Sequence, residues 1–331
     1  MRRLACVLVL VLVLIVSPHV FSAERYAPMT IATGVDPNFA LFYVGYQGGI
    51  FKDLGLEVKL TLGASGSATV PLVISGDSNA SFGGITSALS VYMQDDRLAF
   101  ITDGSTLKPE FIGFLTTTDI KTDKDLLGKR IGVAPASGSE EYFLEFCRHY
   151  KYEPEQFKVI HLQAPEMLAA LEKDDVDAFV SWEPWLAKTI IALKGKVHQL
   201  EMPPFFGKPG SYVFMDRTWI EANRPTALKF AEGLVKAADL LNSDFEKCAQ
   251  LISEVLEMDL ELCKMIMKKV DYRCAIDQLA FEKIQTGYYQ ALKLEVISEP
   301  ETVEFWERFI YDDLMREVKP SAVSYTIKLR E

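Results

Sequence analysis

The chain has 331 residues, of which 49% are apolar, 24% charged and 11% aromatic. That composition excludes a disordered or collagen-like chain, and the length suits two core-forming units rather than one. With 35 basic and 46 acidic residues the net charge is −11 and no basic stripe occurs, which argues against nucleic acid as a partner.

Arg2 and Arg3 precede an apolar run over residues 4–16, which Ser17 and Pro18 end before the small residues Ser22 and Ala23. This is the layout of a secretory signal peptide. Thirteen residues are too few for a membrane-spanning helix, which needs about 20. Cleavage is expected after Ser22 or Ala23, so residues 1–23 read as signal peptide. Losing Arg2 and Arg3 takes the basic count from 35 to 33 against 46 acids, a charge of about −13. Cys6 stands at the start of the apolar run instead of following its end, so no lipid anchor is expected. The reading is an exported, soluble chain.

Four cysteines follow: Cys147, Cys248, Cys263 and Cys274. Cys147 stands at helical spacing from Phe143 and Tyr150, as a buried structural thiol would. One pair among the other three has room to bridge in an oxidising compartment. No CxxC or Cys/His spacing occurs and the four histidines are scattered, so no metal and no cofactor is expected.

Residues 29–33 read as a strand, and Asp36-Pro37 as a helix start with Asp as cap and Pro at the first helical position. Residues 56–62 alternate apolar and polar side chains, the sign of a half-buried strand. The turn Gly63-Ala64-Ser65-Gly66-Ser67 leads to a helix over 68–74. A strand at 80–82, the turn Gly83-Gly84, a helix over 87–93 and a strand at 98–102 follow. A second series has strands at 129–134, 158–162 and 176–182, with helices over 140–150, 165–171 and 185–193. Repeated strand–helix order predicts α/β units with parallel sheets. From Arg224 onward the pattern is mostly helical.

These elements, read in order, resemble the soluble substrate-binding proteins of bacterial ABC importers, of the nitrate/sulfonate/taurine type that also contains thiamine-precursor binders. The resemblance rests on Gly48-Gly49-Ile50-Phe51-Lys52-Asp53-Leu54-Gly55-Leu56-Glu57-Val58 and on the turn Gly63 to Ser67. It continues through Gly128-Lys129-Arg130-Ile131-Gly132-Val133, Asp175-Val176-Asp177-Ala178 and Trp182-Glu183-Pro184-Trp185. It spans about residues 28–240. It implies an α/β, two-lobe periplasmic binding fold (type II), with a ligand cleft between lobes joined by two crossings. One lobe would combine residues 24–110 with 211–331, and the other would be 111–210. The crossings are expected near 109–116 and 206–214. The implied partners are a small-molecule ligand and, transiently, an ABC permease, with the chain itself a monomer.

In such lobes ligands lie beyond the carboxyl ends of the strands, where helices begin. Helix N-termini there expose unpaired N–H groups, and glycine admits close approach. Three Gly/Ser/Thr turns therefore nominate Ser65, Gly66 and Ser67, then Thr86 and Ser87, then Ser137 and Ser139 as ligand-binding residues for an anion. Ser65, Ser67, Ser87 and Ser139 also suit helix caps. Glu140 and Glu183 are candidate acceptors for an amine or hydroxyl, and Trp182, Trp185 and Phe39 candidate apolar walls. Tyr212 joins them at the returning crossing. Together they suit a small organic anion, zwitterionic like an amino-sulfonate. An uncharged pyrimidine, as in thiamine-precursor binders, is the alternative, as is a sensory role without a permease. No P-loop, GxSxG or Ser-His-Asp order occurs, so a non-enzyme is expected. An enzyme on the same two-lobe fold is the rival.

Overall fold

The computed structural model describes residues 26–135 and 137–330. The expected signal peptide, its cleavage point, Cys6 and Ala136 lie outside them.

Among the described residues twelve strands form two sheets: β1 Met29–Thr33, β2 Val58–Leu62, β3 Ala80–Gly83, β4 Leu98–Leu107, β5 Ile112–Thr117, β6 Arg130–Val133, β7 Lys158–His161, β8 Ala178–Trp182, β9 Val197–Gln199, β10 Gly210–Asp216, β11 Val270–Asp277 and β12 Val323–Ser324. Seven strands make the first sheet, in the order β12-β11-β4-β10-β3-β1-β2, and five make the second, β7-β6-β8-β5-β9. The chain leaves the first sheet after β4 and returns to it at β10. This is the mixed α/β, two-lobe arrangement implied by the motifs.

The expectation of parallel sheets holds only in part. β1 pairs in parallel with β2 and β3, and β6 with β7 and β8, where helices make the crossovers. β10 runs antiparallel to β3 and β4, and β5 antiparallel to β8 and β9. Strands that arrive from the other lobe have no local helical crossover to dictate direction. β5 and β9 are also strands that periodicity did not single out, and β4 runs five residues beyond its predicted end at residue 102.

Side-chain alternation explains the cores. In β5, Phe114 faces a cluster with Phe143 and Phe146, whereas its neighbour Leu115 faces the opposite one, with Met167 and Leu186. The first sheet carries a larger core, in which Phe42 packs against both Phe82 and Phe230. A small cluster of Phe111, Ile266 and Val270, with Trp182 against it, joins the two regions at the first crossing.

All four described cysteines are free and buried, so the bridge left open among Cys248, Cys263 and Cys274 is not formed. Burial pushes the Cys147, Cys263 and Cys274 thiols up to about 12 and Cys248 to about 11. Among the described residues no helix is long and apolar enough to cross a membrane, and no cluster of side chains suits a metal ion.

Candidate functional site

A cavity of about 300 Å³ opens between the two sheets. Three turns reach it. Ser65 caps the short helix Gly66–Thr69, its Oγ accepting from the Ala68 N–H at 3.2 Å. Gly66 is required there, because a Cβ would lie 2.7 Å from the Phe39 ring and 2.9 Å from the Gly83 Cα. Gly84 and Ile85 bring the start of the next helix, Ile85–Tyr92. Ser137 caps the helix Gly138–Tyr150, accepting from Ser139 N–H at 3.2 Å and donating to Ala134 O at 2.7 Å. The first two turns belong to the first sheet and the third to the second, so the cavity has donors on both sides.

Of the residues nominated from sequence, Phe39, Ser65, Gly66, Ser67, Ser137, Trp182 and Tyr212 line the cavity. The others do not. Ser87 Oγ donates to Gly84 O within its own turn. Ser139 is fully buried, its Oγ donating to Val180 O at 2.7 Å and accepting from Ala134 N–H at 3.0 Å. Thr86 spends its hydroxyl on the Glu141 carboxylate, across the gap between the sheets. Glu140 does not line the cavity; its neighbour Glu141 does. One residue along an α-helix turns the side chain by about 100°, enough to exchange the two roles. Trp185 stands outside the wall with Lys188 over its ring at 5.0 Å.

Glu183 requires the largest correction. It is 1% exposed and its carboxylate is already spoken for. Oε2 accepts from the Ala187 N–H at 3.0 Å, capping the helix Trp185–Ala192, and Oε1 takes the Lys269 ammonium at 2.5 Å. Glu183 thus ties the second sheet to the first instead of facing a ligand.

Sequence reasoning missed three groups. Asp36 was read as a helix cap only; it does accept from the Asn38 N–H at 2.7 Å, but it also lines the cavity. Asn38 lines it too, with its amide donating to Ser211 Oγ at 2.5 Å and accepting from Ser105 Oγ. The helix Gln278–Lys293 adds Leu279, Glu282, Lys283, Thr286, Gly287 and Gln290. Their spacing of three and four along one helix was a readable stripe. The second crossing contributes Phe206, Gly207, Lys208 and Pro209.

The cationic side of this wall is largely neutralised. Lys283 donates to both Asp103 oxygens, at 2.8 and 2.9 Å, and to Ser105 O at 2.7 Å and Thr106 Oγ1 at 2.9 Å. Arg273 Nε lies 3.1 Å from Asp103 as well. Lys208 is exposed. The acids are less compensated. Burial holds the Asp36 carboxyl well above the usual carboxylate range; the Asn38 N–H opposes this and the negative Glu183 adds to it. Burial also raises Glu141, against the pull of its Thr86 hydrogen bond. Burial raises the Tyr212 phenol well above its ordinary value.

Comparison with known proteins agrees with this geometry. The family described as NMT1/THI5 like matches over residues 36–240. The taurine-binding periplasmic protein of Escherichia coli (strain K12) is 27% identical over 189 residues, 56% of this chain and 58% of that protein. The alignment therefore spans little more than half of that relative's length. The alkanesulfonate-binding protein SsuA from Xanthomonas axonopodis pv. citri, bound to MOPS, superposes with a TM-score of 0.70 at 15% identity, covering 92% of this chain and 100% of that one. The periplasmic nitrate-binding protein NrtA from Synechocystis PCC 6803 gives 0.71 at 12% identity, covering 90% and 89%. These likenesses show the two-lobe periplasmic binding fold.

Proposed function

The chain belongs to the NMT1/THI5-like family, and on that premise we propose that it is an extracytoplasmic solute-binding protein of an ABC importer. It captures a small organic anion of the sulfonate, taurine or nitrate class and delivers it to a membrane permease. The observation that carries this reading is the cavity between the sheets, walled by the starts of three helices with Ser65, Ser67 and Ser137 beside them. N–H groups and hydroxyls at such turns stabilise an anionic head without a buried cation. The curated relative's name, a taurine-binding periplasmic protein, supports both the ligand class and the compartment.

In this reading residues 24–110 with 211–331 form one lobe, 111–210 the other, and the chain bends at the two crossings. Among the contacts that span the lobes are the hydrogen bonds of Thr86 with Glu141 and of Lys269 with Glu183, beside the cluster of Phe111, Trp182, Ile266 and Val270. Hinge closure around ligand is a known mode for such architecture. The chain acts as a monomer, as a binding protein rather than an enzyme, and meets its permease transiently. The signal peptide at 1–23 exports it.

A second reading has its own support. Phe39, Phe111, Trp182 and Tyr212 surround the cavity with aromatic rings, which favour a flat heterocycle such as the pyrimidine of a thiamine precursor. A thermal-shift screen over alkanesulfonates, taurine, nitrate, carboxylates and pyrimidines separates the two. A true ligand at 100 times its Kd adds about 2.7 kcal/mol of stability. Shifts with sulfonates support the first reading. Shifts confined to pyrimidines move the function to the second.

A further inference from the structure

We infer that Asp36 is the recognition point for a protonated nitrogen, so that the solute taken by this cavity carries an ammonium group set against the Asp36 carboxylate. The inference rests on the proposed solute-binding role of the same cavity and names the group that the cavity selects.

Four observations carry it. Asp36 is 4% exposed and lines the cavity. One carboxylate oxygen accepts from the Asn38 N–H, and no cation lies within ion-pair distance of either oxygen among the described residues. Two buried or half-buried cations of the same half of the molecule are committed elsewhere, Lys269 to Glu183 and Lys283 to Asp103. The wall also carries the acids Glu141 and Glu282 and the rings of Phe39, Phe111 and Trp182, beside serines and the lysines Lys208, which is exposed, and Lys283. A buried carboxylate is costly unless paired or protonated. A helix cap does not need that charge, since Asn or Ser caps as well. An ammonium entering the cavity supplies the missing partner, and aromatic faces beside it favour the same charge.

Glu183, the acceptor suggested by its place in the motif, does not compete for this role, because both of its oxygens are occupied within the protein. Glu141 is engaged by the Thr86 hydroxyl and Glu282 is exposed to water, so Asp36 is the buried acid of this wall that meets no side-chain donor among the described residues.

The test uses the processed chain and two matched pairs of probes in titration calorimetry: taurine against ethanesulfonate, and 2-phenylethylamine against 2-phenylethanol. The second pair removes the anionic head, so it reads the nitrogen alone. Taurine is expected to bind about 30-fold or more tightly than ethanesulfonate, with a preference for the amine in the second pair as well. Asp36→Asn, which keeps the cap, is expected to shrink that preference to within about threefold, while ethanesulfonate binds it as before. Thermal unfolding of the variant checks that it is folded. Equal binding of taurine and ethanesulfonate overturns the inference and leaves the sulfonate-binding function standing. An amine preference that survives in Asp36→Asn also overturns it, placing the nitrogen elsewhere. If neither amine binds, the inference falls, and the wider solute screen judges the function separately.

Discussion

Two buried aspartates in the same half of the molecule are treated in opposite ways. Asp103, in the middle of β4, is fully buried and meets Lys283 and Arg273. Asp36, at the turn after β1, is almost as buried and meets one backbone N–H. Burial raises the carboxyl of both, but only at Asp103 do cations pull it back. The first arrangement is that of a charge kept for structure: it fastens β4 and β11 to the helix Gln278–Lys293 at the edge of the cavity. The second leaves a charge facing an open volume. Where a protein tolerates an uncompensated buried carboxylate, the compensation is expected from outside the chain.

Removing the compensation at the first site is the strongest way to probe this contrast. Lys283→Met leaves Asp103 buried with only Arg273 as partner, and a loss of about 3–5 kcal/mol is expected in urea unfolding at neutral pH. A loss under about 1 kcal/mol would mean that the pair is worth no more than a surface contact. Glu183→Gln comes next. It removes the charge that Lys269 faces while keeping an acceptor for the Ala187 N–H. Lys269 is partly exposed and regains water, so a cost of about 1–2 kcal/mol is expected, with ligand affinity unchanged within about twofold. A large loss of affinity at constant stability would return Glu183 to the site.

Thr86→Val is a smaller change, close in shape, that deletes the hydrogen bond to Glu141 between the two lobes. About 0.5–1.5 kcal/mol of stability should be lost. The last effect has the opposite sign. A carboxyl whose folded-state pKa lies above its unfolded value of about 3.9 destabilises the fold at pH above both values. That penalty disappears as the pH falls below the unfolded value. Ligand-free Asp36→Asn is therefore expected to melt above the parent protein at pH 7.5, and the difference should narrow toward pH 4. A variant that melts lower at both pH values would show that Asp36 contributes to the fold as a charge, like Asp103.

Much of the architecture was legible in local pattern. The strand at 29–33, the caps at Asp36 and Ser65, and the helices near 138–150 and 185–192 are where hydrophobic period and turn chemistry put them. Seven of the twelve nominated site residues line the cavity, because a strand-to-helix turn carries its ligand-facing groups in consecutive positions. The errors share one cause. Whether Glu140 or Glu141 faces the cavity depends on the phase of one helix against the opposite lobe. Whether Glu183 is available depends on Lys269, which stands 86 residues away. Neither relation leaves a local trace.

By itself, then, the sequence determined the α/β class, the two-lobe resemblance, the turns that reach the cleft and the aromatic character of its wall. These follow from interactions within a few residues, where period, cap and turn are decided. Only the tertiary structure decided the direction of the strands that carry the chain between lobes, and the arrival of Lys283, Thr286 and Gln290 at a site begun by residues 36–39. It alone decided which buried acids are paired. Charge compensation is a through-space property, and residues far apart in the chain supply it.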